Sequence, residues 1–165
     1  MAGRVSAGIA LVAAHDDAFG IGRDGDIPWR IPADFALFRR LTMGHVLVVG
    51  RRTLESLPRA GLPGRRIVCV TAAASLPGAA SCAPNLGTAL SGARELAGPG
   101  GRIFVAGGAG LYGEALAVAD EAWVTQIPGR HGCDRFFPDL AAAGWRVAET
   151  IPLEGAVAAR WLPPR

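Results

Sequence analysis

Between Gly22 and Arg40 the chain reads GRDGDIPWRIPADFALFRR, which sets the carboxylate of Asp34 in the first turn of an amphipathic helix among aromatic residues. Asp34, Phe35, Phe38 and Arg39 stand at i, i+1, i+4 and i+5, so one helical face offers an acid, two rings and a cation. That set suits a flat, polar-edged heterocycle with an anionic tail. A plainer role is open to the same acid, since proline fits the first helical position and a first-turn carboxylate complements the helix dipole. The Gly/Asp/Pro/Trp stretch from Gly20 to Trp29 reads as a mobile but structured loop ahead of that helix.

Two further stretches suit anions. Arg51, Arg52 and Thr53 follow an apolar run, Val46 to Val49, through Gly50. Guanidinium groups at the opening of a helix make a phosphate site, although solvated surface arginine is the alternative in a chain whose basic residues are all arginine. The run from Ala106 through Gly107, Gly108, Ala109, Gly110 and Leu111 to Tyr112 is a strand-to-helix glycine turn. It lacks the GxGxxG spacing of a Rossmann fingerprint, and a tight βα turn would need no more.

These residues need a scaffold, and 165 residues suffice for one domain, 1–165, around a single core. Half the residues are hydrophobic and 19% are charged, which is globular rather than disordered. The net charge of +3 is spread along the chain, which favours local sites for anionic small molecules over a nucleic-acid surface. Cys69, Cys82 and Cys133 are odd in number and lack CxxC spacing, so neither a disulfide framework nor a metal site is supported. Cys69 lies in the run Ile67 to Val70 and reads as a buried apolar residue. No signal-peptide pattern or membrane-length apolar run occurs, so a cytoplasmic setting is expected.

Short β-rich runs alternate with helical ones. Strands are expected at Ser6 to Ala14, Val46 to Gly50, Ile67 to Thr71, Arg102 to Ala106 and Glu121 to Ile127. Helices are expected at Pro32 to Leu41, Arg51 to Leu57, Leu86 to Ala97 and Ala109 to Val118. Ala72 to Gly87 reads as a loop with one short strand. Trp145 to Thr150 and Ala156 to Leu162 read as an antiparallel hairpin at one edge. The alternation with Gly-rich junctions argues for an α/β sheet with helices on its faces.

The blocks VAAHDDAFGIGRDGDIPWRIPADFALFRRLT, VLVVGRRTLESLP, LPGRRIVCVT, IFVAGGAGLYGEAL and VTQIPGRHGCDRFFPD follow one another from about Ile9 to Asp139. In content, order and spacing they resemble dihydrofolate reductase. The resemblance implies a three-layer α/β/α fold whose central, mostly parallel eight-stranded sheet carries an antiparallel C-terminal hairpin strand. It also implies NADPH-dependent reduction of 7,8-dihydrofolate to tetrahydrofolate, inhibition by antifolates and a monomer. The tail after Pro138 is shorter than in many relatives, so an abbreviated last hairpin is expected.

Residue by residue, the resemblance makes Asp34 the acid that binds and polarises the pterin, hydrogen-bonded by Thr125. Burial beside Phe35, Phe38 and Trp29 should raise its pKa. Trp29 would hold the water that delivers the proton, with Gly20 to Trp29, including Ile21 and Gly22, as a lid that excludes solvent. Asp134 matches the acid that holds the lid through backbone N–H groups near Gly22, although a turn-capping Asp would look the same. Val12, Ala13, Ala14, Leu57, Leu62 and Ala106 complete the pocket, and Val12 and Ala106 would offer carbonyls. Arg65 matches the residue that forks onto the glutamate tail, with Arg39 near the outer carboxylate. Gly50, Arg51, Arg52, Thr53 and Thr71 would meet the 2′-phosphate, which favours NADPH over NADH because no acid for a free ribose hydroxyl replaces the arginines. Gly107 and Gly108, joined by a cis peptide, and the following Ala109, Gly110 and Leu111 would meet the pyrophosphate, with Tyr112 beside the nicotinamide.

Ala106, Leu54 and Ala109 depart from the residues usual in the family at their positions: Ala106 implies a wider pocket wall, and the three together leave room for a divergent or weakened enzyme. Three other readings compete: a riboflavin-pathway reductase of the same fold, an idle binding protein that keeps the pocket, and a nucleic-acid module. The PW…PAD pairing with LPGR disfavours the first, and intact Asp34, Trp29 and Thr125 disfavour the second. The third lacks any aromatic–basic strand pattern.

Overall fold

In the computed structural model, which describes residues 8–58 and 61–164, side-chain alternation along the central strand β1 (Ile9–His15) separates two cores. Ile9 and Leu11 join one core; Ala10 and Val12 join the other, on the opposite sheet face. The remaining elements run β2 (Gly20–Gly22), α1 (Pro32–Thr42), β3 (Val46–Gly50), α2 (Arg51–Ser56), β4 (Arg66–Val70), β5 (Ser81–Ala83) and α3 (Leu86–Ala97). They continue through β6 (Ile103–Val105), α4 (Ala109–Ala115), β7 (Glu121–Gln126), β8 (Arg135–Phe136), β9 (Arg146–Leu153) and β10 (Ala156–Leu162).

Eight strands form one sheet in the order β5-β4-β3-β6-β1-β7-β10-β9. From β5 to β7 every pairing is parallel, and β10 is antiparallel to both β7 and β9. Helices α3 and α4 cover the first core through Ala89, Leu90, Ala93, Leu111 and Ala115. Helices α1 and α2 cover the second through Phe38, Leu41 and Leu54. This is the expected three-layer α/β/α arrangement. Cys69 is fully buried in the second core, as an apolar residue would be.

The short-range signals act where expected. Pro32 opens α1, the Asn85 side chain accepts from the Thr88 N–H at 2.8 Å to open α3, and Gly98 closes α3 at φ 63°. Four features differ from the sequence reading. Ser6 and Ala7 lie outside the described residues, and β1 runs on to His15. Helix α4 stops at Ala115, and residues 116–118 form a turn. The last hairpin is not abbreviated. Its strands have eight and seven residues because the turn needs only Glu154 and Gly155, with Gly155 at φ 86°. Finally, β2 and β8 form a separate two-stranded ribbon that ties the stretch after β1 to the stretch after β7. Among the described residues no helix is long and apolar enough to cross a membrane.

Candidate active site

Because Pro32 starts α1, Asp34 falls in its first turn, near Thr125 of β7 and Tyr112 of α4. Thr125 of β7 is the register partner of Ala14 on β1 and is 3% exposed. Burial raises the Asp34 pKa, and the Thr125 hydroxyl, within hydrogen-bonding reach, holds it partly down. The helix face predicted around Asp34 splits in two. Phe38 packs on the second core, whereas Phe35 stays 49% exposed. Val12, Leu57, Leu62 and Ala106 lie on or against the second core, on the Asp34 side. The side chains of Ala13 and Ile21 pack on the first core, so Ala13 reaches the Asp34 side only through its backbone.

At the outer end of α1, Arg39, Met43, Pro63, Gly64 and Arg65 line an open cleft of about 430 Å³. Burial and then the charge of Arg39 lower the Arg65 pKa, so the two guanidinium groups converge on this cleft. The Arg65 Nε donates to the Pro63 carbonyl at 3.2 Å, which leaves its other nitrogens for an anion.

Gly20 to Trp29 is more ordered than its composition suggests. Asp24 and Gly25, at φ 52° and 80°, form a hairpin turn closed by two backbone bonds between Arg23 and Asp26, of 2.8 and 3.0 Å. The Asp134 carboxylate accepts from the Asp24 N–H at 3.1 Å, and the Asp134 N–H donates to the Gly22 carbonyl at 2.9 Å. Trp29 is half-buried, and its indole meets the His131 ring edge-on at 5.2 Å.

The third cluster gathers at the ends of β3, β4 and β6. Gly50 and Val70 are register partners, so Arg51 and Thr71 leave neighbouring strand ends. Arg51 and Arg52 are exposed, and the Arg51 Nε bonds Glu55 at 2.9 Å. The Thr71 hydroxyl accepts from the Ala73 N–H at 3.2 Å. The Gly107–Gly108 peptide is cis, and the Gly50 N–H donates to the Gly107 carbonyl at 2.9 Å. Gly107 lies at φ 131°, and a Cβ there would stand 3.0 Å from the Thr53 hydroxyl oxygen. Ala109, Gly110 and Leu111 begin α4 just beyond, with Gly110 exposed. Tyr112 is buried, and its hydroxyl donates to the Val12 carbonyl at 2.7 Å. Burial, then the nearby Asp34 charge, pushes its pKa up.

Residues 8–157 match the family model for dihydrofolate reductase. The chain belongs to the dihydrofolate reductase family. It is 36% identical over 143 residues to the dihydrofolate reductase of Neisseria meningitidis serogroup A, covering 86% of this chain and 85% of that one. It is 39% identical over 142 residues to dihydrofolate reductase type 3 of Salmonella typhimurium, with 86% and 85% covered. A solved dihydrofolate reductase from Enterococcus faecalis, complexed with NADP(H) and RAB-propyl, superposes with a TM-score of 0.80 at 23% identity, covering 94% and 95% of the two chains. That superposition establishes the dihydrofolate reductase fold.

Within that fold, sequence reasoning passed over Asp16 and His131. Asp16 is 1% exposed and accepts from the N–H groups of Ala18, Gly20 and His131. The available signal was its place, an acid at the exit of a buried strand with no cation beside it. For His131 the sequence carries no signal, because its contact with Trp29 joins segments about a hundred residues apart.

Proposed function

We propose that this chain reduces 7,8-dihydrofolate to 5,6,7,8-tetrahydrofolate with NADPH, adding a hydride at C6 and a proton at N5, and so serves one-carbon metabolism. The observation that carries the proposal is Asp34, a half-buried carboxylate raised in pKa by burial and engaged by Thr125 within a dihydrofolate reductase fold. It is the ionisable group beside the pocket formed by Val12, Phe38, Leu57, Leu62 and Ala106.

The residues at the strand ends fit a nucleotide with an extra phosphate. Gly50, Gly107 and Gly108 keep the turn free of side chains where a pyrophosphate would approach the backbone, and Arg52 is free to swing toward a 2′-phosphate beside Thr53 and Thr71. When bound there, NADPH supplies the hydride. This chain's residues do the rest. Asp34 orients and polarises the pterin through paired hydrogen bonds, which a charged acceptor makes stronger and more directional. Trp29 and the 20–29 lid exclude bulk water and leave one proton path to N5. Arg65, with Arg39 outside it, takes the carboxylates of the glutamate tail. Tyr112 packs where nicotinamide and pterin would meet.

Leu54 is buried in the second core and Ala106 half-buried beside it, so this wall holds less side-chain volume than larger residues would supply. Antifolates that fill that wall should bind less tightly. We infer one domain acting as a monomer in the cytoplasm, supported by a sheet covered on both faces and by free cysteines at Cys69, Cys82 and Cys133.

The deciding experiment is the loss of NADPH absorbance with dihydrofolate, run beside NADH and beside Asp34→Asn. Turnover that prefers NADPH and collapses in the variant supports the proposal. Tight binding of both ligands without turnover would overturn it in favour of an idle binding protein.

A further inference from the structure

Asp16 stands where β1 ends and the lid begins, and its two carboxylate oxygens serve different segments. Oδ1 accepts from Ala18 N–H at 2.9 Å and Gly20 N–H at 2.8 Å, both at the base of the lid. Oδ2 accepts from His131 N–H at 2.9 Å and faces the Cys133 thiol at 3.6 Å, both in the connection between β7 and β8. At 1% exposure, and with no basic side chain bonded to it among the described residues, this carboxylate is held there by backbone and thiol donors. Burial acts to raise its pKa, but these bonds outweigh that and leave it lowered, hence ionised at neutral pH.

His131 is fixed on three sides. Its N–H is held by Asp16, its carbonyl accepts from Arg23 Nη1 at 3.1 Å, and its Nε2 lies 3.0 Å from the Pro128 carbonyl. The ring so placed meets the Trp29 indole at 5.2 Å with an interplanar angle of 65°. We propose that Asp16 is a positioning residue of the reductase, whose carboxylate clamps the β7–β8 connection to the lid base and, through the His131 ring, sets the indole of Trp29. This rests on the reading of Trp29 and the lid given above.

The clamp needs an ionised acid rather than any polar side chain of that size. An asparagine has one acceptor oxygen, and its amide would present N–H either to the Ala18 and Gly20 donors or to the His131 donor. One segment must come loose. His131→Ala keeps the backbone bond to Asp16 and removes only the ring, so it isolates the second half of the relay.

The test labels the protein with 5-fluorotryptophan and assigns the Trp29 19F resonance through Trp29→Phe. Thermal unfolding and single-turnover hydride transfer are measured on the same variants. Asp16→Asn and His131→Ala should each shift or broaden the Trp29 resonance in the ligand-free protein. Each should slow hydride transfer by about 10- to 100-fold while the dissociation constants of both ligands change far less, as expected for lost orientation. The double variant should be no worse than the more damaged single one, because the residues act in series. A Trp29 resonance that stays put in His131→Ala, or additive losses in the double variant, would overturn the proposal even if Asp16→Asn does not fold. The resonance needs no substrate, so a failed relay is distinguishable from a failed assignment of the reaction.

Discussion

The Tyr112 hydroxyl donates to the Val12 carbonyl at 2.7 Å, joining the middle of α4 to the middle of β1 across residues a hundred positions apart. The ring also meets Phe137 edge-on at 4.9 Å. One hydrogen bond therefore ties the helix that follows the glycine turn to the central strand. Tyr112→Phe leaves the carbonyl short of its partner and should cost about 1–3 kcal/mol of stability, measured by urea unfolding. The affinity for NADPH should weaken with it, because the turn then loses its tie to β1.

Asp34→Asn should reduce kcat/KM for dihydrofolate by about 10²- to 10⁴-fold at neutral pH. Stability should move the other way. Burial, partly offset by Thr125, raises the folded pKa above the ordinary 3.8, so the native state holds this proton more tightly than the unfolded one. The resulting stabilisation is complete below about pH 3.8 and is lost as pH rises through the folded value. Asn does not ionise. The variant should thus melt higher than the parent near pH 7, with the difference shrinking on acidification, in melting curves taken across pH.

Arg52→Ala should raise the KM for NADPH by about 10- to 100-fold and leave that for NADH nearly unchanged, since a charged hydrogen bond to phosphate is lost only with the former. Arg51→Ala should do less, because Glu55 already holds the Arg51 Nε at 2.9 Å. Parallel titrations with both nucleotides separate the two arginines.

Gly20→Ala should destabilise the protein by about 1–3 kcal/mol, because a Cβ at Gly20 would overlap the Cys133 side chain and stand 3.0 Å from Asp16 Oδ1. Cys133→Gly in the same chain should restore part of the loss. Denaturant midpoints of the two singles and the double measure that coupling.

The elements whose signals are local were legible in the sequence. Strand β3, for example, is a valine-rich apolar run closed by Gly50, and α3 lies between Asn85 and Gly98. The first-turn place of Asp34 is legible because Pro32 opens α1 two residues before it. What escaped was assembled by distant segments. The β2–β8 ribbon rests on strands of three and two residues, too short for periodicity and more than a hundred positions apart. The split between buried Phe38 and exposed Phe35 also follows from how α1 is rotated on the sheet, which helical spacing leaves open. The length of the final hairpin is not legible from the tail, because tail length says nothing about how few residues its turn consumes.

The sheet order has a consequence for synthesis on the ribosome. Strand β1 is made first, yet its neighbours are β6 and β7, with Ile9 beside Ile103 and Ala10 beside Glu121. A nascent chain can pair β1 with β6 first, and the other edge of β1 stays open until β7 has left the exit tunnel. The eight-stranded sheet therefore closes around its oldest strand late, once most of the chain has been made.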